Sequence, residues 1–419
     1  MMREALPSEP MPRPTIAIVG NVQTPYRIQV HRRFAREIPE VQLWSLFTHD
    51  VPDAPWRLAE DPEIRPVMFG RGESVENRAK IRYALHEWRK GGRICRWLEE
   101  HNVRFVVAGG YADPAQLRVV RWCRSRGIPC FMWSDSNIRG DLARGVRRLV
   151  KNMVVRWAVR AATGCMPFGS LGREYFLKYG AKPERVFLVP FEPDYDLIET
   201  LDEGYIKATA ARLGLAPDRR RIVFTGRLVR VKRVDLAIDA FCAIAAERPE
   251  WDLVIVGTGE LREQLAARVP EGLRGRVIWT GFLGDQRDVS AVYRSSDVLV
   301  LPSDYEPWAL VVNEAVCAGL VVVATDVVGA AAELVEDGVS GRLFPPGDLG
   351  ALTRCLREVT EADRLAEMKE ATKGVLARWR REGDPVAGLR KALRVAGVLH
   401  AGEGVGSGSG AEGGDGIGR

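Results

Sequence analysis

Short apolar runs alternate along this chain with longer stretches in which apolar residues return every three or four positions. The runs in the first half lie at 15–19, 41–47, 105–108, 128–133, 163–166 and 186–189. Each is long enough for a buried parallel strand, and the stretches between them suit amphipathic helices, the βαβ grammar of a doubly wound sheet. The pattern restarts at 221–226 and continues through 253–256, 277–280, 298–301 and 321–324. The fold class expected is therefore α/β, with two Rossmann-like, doubly wound domains. Residues 190–196, rich in proline and aspartate, read as the linker between them. The resulting divisions are a disordered tail at 1–13, a first domain at 14–195, a second at 196–376, helices at 377–401 and a disordered Gly/Ser-rich tail at 402–419. Open parallel sheets gather ligands beyond the carboxyl ends of their strands, so two such domains facing each other make a cleft.

Composition narrows the class without changing it. With 419 residues, 46% apolar and 28% charged, the chain can bury two cores of ordinary size. The first 14 residues lack an apolar h-region and no run of 18 apolar residues occurs, so the expected location is cytoplasmic. Seven cysteines show no CxxC spacing and five histidines no HxxxH pair, so no metal site is expected. A net charge of +6 suits anionic partners, but no helix-turn-helix, zinc-finger or RNP pattern points to nucleic acid.

The candidate chemistry lies in the second half. Glu306 and Glu314 stand eight residues apart just after the run at 298–301. Pro307 suits the first turn of a helix, which would put both carboxylates along one helix line with free amides between them for a phosphate. Gly226-Arg227-Leu228 follows another strand, with Lys232 five residues after the arginine. A guanidinium fork and a compact ammonium together suit a diphosphate, and either could be a solvated basic loop if it stood alone. Gly257 and Gly259 form a Gly-x-Gly turn, but Arg262 occupies the place of a third glycine, which disfavours a dinucleotide fingerprint. Asp194-Tyr195-Asp196 is set aside as a metal pair because it lies in the linker.

These segments resemble a known family. Glu306-Pro307-Trp308-Ala309-Leu310-Val311-Val312-Asn313-Glu314-Ala315, with Gly226, Arg227, Leu228 and Lys232 upstream, is similar to the donor signature of the family 4 (group 1) retaining glycosyltransferases. The resemblance implies the GT-B architecture, with an acceptor domain first, a nucleotide-sugar donor domain second and a terminal helix crossing back to the first. It implies Arg227, Lys232 and Glu306 as the catalytic set. Donor binding falls to Gly226, Gly257, Gly259, Phe282, Trp308, Ala309, Leu310, Val311 and Glu314, with Glu314 on the ribose hydroxyls. Ala309 stands where relatives often carry glycine, and Val321 where proline is common. No metal and no cofactor is expected, the donor itself being a nucleoside-diphosphate sugar.

The first domain is less legible. Asn21 to Arg27 and Trp133 to Asn137 each follow a strand, so Tyr26, Arg27, Asp135 and Asn137 are the acceptor candidates; Asp135 could equally cap a helix. Leu142, Val146, Leu149, Met153 and Trp157 recur at helical spacing among arginines. Such a stripe packs against a sheet or lies on an anionic membrane. The function expected is transfer of a sugar to a saccharide or lipid-linked acceptor hydroxyl, in cell-surface polysaccharide or glycolipid synthesis. The rivals are a nucleotide-sugar epimerase of the same fold and a non-catalytic nucleotide-sugar binder.

Overall fold

The computed structural model describes residues 13–52, 61–78, 80–141 and 143–400. Residues 1–12 of the first expected tail, the whole of the second, and Leu142 of the basic stripe lie outside them. Within them the chain folds into two lobes, each built on a six-stranded parallel sheet.

The first sheet comprises β1 (Thr15–Gly20), β2 (Gln42–Phe47), β3 (Pro66–Met68), β4 (Phe105–Ala108), β5 (Cys130–Ser134) and β6 (Gly164–Pro167). Its order is β3-β2-β1-β4-β5-β6. The second comprises β7 (Arg220–Thr225), β8 (Trp251–Val256), β9 (Val277–Gly281), β10 (Val298–Leu301), β11 (Val321–Thr325) and β12 (Gly341–Phe344). Its order is β12-β11-β10-β7-β8-β9, the same winding viewed from the other edge. In both, the strand order reverses between the first strand and the fourth, and ligand crevices open at such switch points. The two doubly wound lobes expected from the pattern are present. β3 and β12 were not anticipated, being a three-residue edge strand that opens on proline and a run interrupted by Arg342.

One expected strand is absent. Residues 186–189 make only an isolated bridge from Val186 to Cys165, although Phe187 and Val189 donate their amides to β6. Their carbonyls are needed elsewhere: Val189 O accepts from Trp133 Nε1 at 2.5 Å, and Leu188 O lies against Gly388. The segment is the start of the passage between lobes rather than a seventh strand.

Helices of the first lobe are α1 (Pro25–Glu37), α2 (Ala84–Glu100), α3 (Pro114–Arg126), α4 (Gly145–Ala161) and α5 (Ser170–Lys178). Strand residues alternate between faces, so Ala17, Val19, Val106 and Ala108 meet Ile94 and Leu98 of α2 and Val119, Val120 and Cys123 of α3. Ile16, Ile18, Phe105, Val107 and Trp133 face the other way, toward Val30 and Phe34 of α1. Burying each large side chain contributes about 1.5–3 kcal/mol. On α4 the sequence left two readings open, and the structure counts against the one that packs the stripe on the sheet. Val155, Ala158, Val159 and Ala161 pack inward, whereas Val146, Leu149 and Met153 are 74%, 64% and 65% exposed and Trp157 is also exposed. The stripe does not pack on the sheet.

After α6 (Tyr195–Glu199) and α7 (Glu203–Arg212), the second lobe carries α8 (Val234–Ile244), α9 (Arg262–Ala267), α10 (Gln286–Arg294), α11 (Leu310–Cys317), α12 (Ala331–Leu334), α13 (Leu349–Val359) and α14 (Ala362–Glu382). Asp194 caps α6 by accepting from Leu197 N at 3.1 Å, which explains the linker aspartate without a metal. α15 (Pro385–Val395) then returns to the first lobe, as the resemblance implies. Arg390 pairs with Glu40 at 2.7 Å, Arg33 of α1 with Asp384 at 3.1 Å, and Arg33 also with Glu192 of the linker.

Candidate functional site

The switch point of the second sheet lies between β7 and β10, and the two loops that leave it carry the basic pair and the first glutamate. After β7 the chain runs through Gly226 and Arg227 into a short turn, Arg230–Lys232. That loop is held close to its neighbour: Leu228 N donates to Thr258 O at 2.9 Å and Leu261 N to Leu228 O at 3.1 Å. A side chain at 257 would put its Cβ 2.0 Å from Gly226 O, on a backbone with φ of +134°. One at 259 would meet Leu228 O at 2.4 Å. The two glycines thus serve backbone packing beneath the site. Arg227 is exposed, while Lys232 is half-buried and bonded to the Glu306 carboxylate, which also accepts from Ser303 Oγ at 3.1 Å. Glu306 itself is 6% exposed.

The helix expected to open at Pro307 starts three residues later. Tyr305 to Ala309 form an extended loop: Glu306 bridges to Val328, Gly329 N donates to Glu306 O at 3.3 Å and Ala330 N to Trp308 O at 2.8 Å. These bonds hold the segment outside the helix, and α11 begins at Leu310 behind Ala309, whose φ is +75°. Glu306 and Glu314 therefore do not share a helix line; one sits on the loop and the other inside α11. The left-handed conformation at 309 costs a non-glycine residue about 1–2 kcal/mol, which is the physical reason glycine suits this position. Trp308, expected at the donor, is buried in packing, with Phe168 of the first lobe at 5.9 Å and Trp379 at 5.6 Å between ring centroids. Leu310 and Val311, half-buried, supply the first-turn amides that a helix leaves without internal partners.

Glu314 has partners that sequence reasoning missed. Gln286 Nε2 donates to Oε1 at 2.6 Å and Tyr293 Oη to Oε2 at 3.2 Å, both from α10. Burial pushes the Glu314 carboxyl up to about 7, against the two hydrogen bonds that favour the anion. The only signal for this pair in the sequence was the helical spacing of 286 and 293, seven residues or two turns apart. Phe282 follows β9 and lies half-buried beside the same end of the sheet.

Across the cleft, the loops after β1 and β5 present the first lobe's candidates. Arg27 donates to Val22 O and lies over the Phe191 ring at 5.2 Å, and Tyr26 packs against that ring at a tilt of 56° with centroids 5.2 Å apart. Asp135 is exposed in its loop and caps no helix, since α4 starts only at Gly145. Crowding by protein raises its pKa, opposed by a bond from its own backbone amide and by the charges of Arg27 and Arg78, with Glu306 acting in the same sense as burial. Asn137 departs from its expected role. It is buried, donates across the interface to the carbonyls of Glu306, Pro307 and Val327, and accepts from Gly140 N at 2.7 Å, so its amide is engaged within the protein.

Folding also gathers groups that sequence spacing scattered. His49, Glu87 and Asp113 converge with their ligand atoms within 4.8 Å of one another. The ammonium of Lys90 stands among them, bonded to Glu87 at 2.9 Å, Glu73 at 2.6 Å and His49 Nε2 at 3.3 Å. The lysine supplies the positive charge this pocket of carboxylates needs.

Comparison with known proteins places this geometry. Residues 219–362 match the family model described as glycosyl transferases group 1. An uncharacterized glycosyltransferase of Methanocaldococcus jannaschii is 36% identical over 130 residues, 31% of this chain and 33% of that protein. The chain thus spans a third of that relative's length. The D-inositol 3-phosphate glycosyltransferase of Thermobispora bispora is 28% identical over 386 residues, 86% of each chain. Among solved structures, Alr3699/HepE of Anabaena in complex with UDP aligns with a TM-score of 0.67 at 17% identity, covering 92% of this chain and all of that one. That likeness fixes the fold.

Proposed function

We propose, from the premise that this chain belongs to the group 1 glycosyltransferases and has the GT-B architecture, that it is a retaining enzyme. In this reading it moves a sugar from a nucleoside diphosphate to a saccharide or lipid-linked acceptor hydroxyl. The reading is carried by one observation: the loops leaving β7 and β10 at the switch point bring Lys232 onto Glu306, with Arg227 on the same loop as the lysine. A departing diphosphate accumulates charge as the anomeric bond breaks. Lys232, Arg227 and the first amides of α11 are fixed donors for that charge, and such preorganised groups are worth most in a cleft that excludes water. Glu314, held by Gln286 and Tyr293, is placed to accept from ribose hydroxyls. The leaving phosphate oxygen takes the acceptor's proton on the face it vacates, which keeps the anomeric configuration and needs no separate side-chain base. The bound UDP of HepE supports a nucleoside-diphosphate donor.

The acceptor side of the proposal includes a peripheral contact with anionic membrane. Among the described residues no helix is long and apolar enough to cross a membrane. Helices α3 and α4 lie side by side on the outer face and contain no aspartate or glutamate, while Arg147, Arg148, Arg156 and Arg160 flank the exposed stripe of α4. Apolar side chains ringed by cations match a surface of anionic headgroups over hydrocarbon.

A thermal-shift screen of UDP-, GDP- and ADP-sugars, followed by assay of diphosphate release from the stabilising donor, tests the catalytic reading. Stabilisation with release supports it. Stabilisation without release marks a binder, and stabilisation by none rejects it.

A further inference from the structure

We propose that Asn137 is a latch that couples closure of the two lobes to the placement of Glu306, and is thereby a positioning residue for sugar transfer. The inference rests on the reading of the second lobe as the donor side. Asn137 follows β5 in the first lobe, yet its Nδ2 donates to Glu306 O at 3.0 Å, Pro307 O at 3.1 Å and Val327 O at 3.3 Å in the second. Its Oδ1 accepts from Gly140 N at 2.7 Å, which fixes the end of the amide that points across the interface. Two of the three carbonyls belong to the loop that carries Glu306. Fixing the carbonyl of Glu306 fixes its Cα, and with it the direction from which the carboxylate meets Lys232 and Ser303.

The rest of the interface shows why this residue matters most. Arg139 and Asp326 pair at 3.2 Å, but both are nearly half exposed, where an ion pair contributes little. Glu333 accepts from Ser170 N at 2.5 Å away from Glu306, whereas Tyr305 beside Gly140 and Trp308 beside Phe168 brace the Glu306 loop through side chains and leave its carbonyls to Asn137. The Asn137 loop is itself braced: Ser136 N donates to Ser134 Oγ at 3.2 Å, and Ser136 Oγ meets Tyr111 Oη at 2.9 Å. A hydrogen bond exchanged with water has a small net value, so a latch built from one amide can open and close. Asp135, the acceptor candidate, is two residues before Asn137. When the latch closes, one side chain sets the acceptor loop and the donor loop against each other.

The experiment compares the full-length wild type with Asn137→Asp and Asn137→Ala. The aspartate keeps the acceptor for Gly140 and turns an anion toward three carbonyls. Small-angle scattering of the ligand-free proteins, calorimetric titration with UDP, and kcat and KM for UDP-glucose are measured. The latch predicts a larger radius of gyration for both variants and a kcat about 10- to 100-fold lower, since small misplacements of reacting groups cost that much. It also predicts a UDP affinity that does not fall, because Arg227, Lys232 and Glu314 all lie on one lobe and a loosened Glu306 only frees Lys232. Unchanged scattering overturns the proposal, as does a parallel fall of thermal stability and UDP affinity, the mark of a merely structural residue. If wild type itself releases no UDP, UDP-glucose is not its donor, and the scattering comparison alone decides the latch.

Discussion

Lys232 donates to the carboxylate of Glu306 from 74 residues earlier in the chain, so the ammonium that would grip a diphosphate is already paired. The pair is mostly buried, with side-chain exposures of 19% and 8%. A donor phosphate must therefore compete with Glu306 for the lysine. Glu306→Gln removes the competing charge while keeping the shape. Titration with UDP or GDP should show tighter binding in this variant, and assay should show turnover lowered about 10²-fold if the carboxylate also faces the transferred sugar. Weaker nucleotide binding would mean that Glu306 only props up the loop.

Arg227 differs from Lys232 in being exposed. Arg227→Ala should lower kcat by about 10² or more, as expected for a donor acting on developing charge. Its thermal midpoint should fall far less than its activity, because an exposed ion pair or hydrogen bond contributes about 1 kcal/mol or less. A midpoint that falls with activity would count against a direct role.

Glu314 makes nucleotide binding depend on pH. Its pKa is raised by burial to about 7, and ribose hydroxyls need the ionised form as acceptor. Affinity for UDP or GDP should rise between about pH 6 and 8, with a proton released on binding below the upper limit. The sign for the free protein is the reverse. A glutamate whose folded pKa is raised contributes stability that is complete below its unfolded value and lost as pH climbs through about 7. Melting with and without nucleotide across this range should show the two trends diverge. Glu314→Gln should flatten both and weaken binding.

Most of the fold was legible because strands buried on both faces leave continuous apolar runs. The run at 298–301 became β10 with its expected bounds, and 105–108 became β4. What was not legible depends on partners distant in sequence. Residues 186–189 have the composition of a strand, but Val189 O accepts from Trp133 and Leu188 packs closely against Gly388 of α15. Pro307 is a good first-turn residue, yet the backbone bonds to 329 and 330 keep it outside the helix. At the site, the basic pair and the two glutamates were singled out by their resemblance to a family signature, whereas Gln286, Tyr293 and the proposed latch role of Asn137 were not. Their roles exist only after α10 packs beside α11 and the two lobes meet.

Gly388 tests the return of the terminal helix. A Cβ there would stand 1.9 Å from Leu188 O, in a backbone-to-backbone contact that no rotamer change can relieve. Gly388→Ala should displace α15 from the linker and destabilise the protein by about 1–3 kcal/mol or more, the usual cost of overpacking. Denaturant titration measures it. Protease cleavage near residue 384 should appear in the variant before global unfolding.

The exposed stripe of α4 gives the sharpest test of where the protein works. Val146, Leu149 and Met153 project from a helix whose inward face is already filled, so changing them need not disturb the core. The protein should sediment with vesicles containing anionic lipid and remain in solution with neutral ones. Raising the salt should weaken binding, since each lysine or arginine near such a surface contributes about 1 kcal/mol and the attraction fades within a Debye length. Leu149→Glu with Met153→Glu should abolish sedimentation while leaving the melting temperature unchanged, because it places carboxylates where hydrocarbon contact is needed. Retained binding by this double variant would show that the arginines alone hold the surface. Equal binding to neutral and anionic vesicles would remove the electrostatic part of the argument.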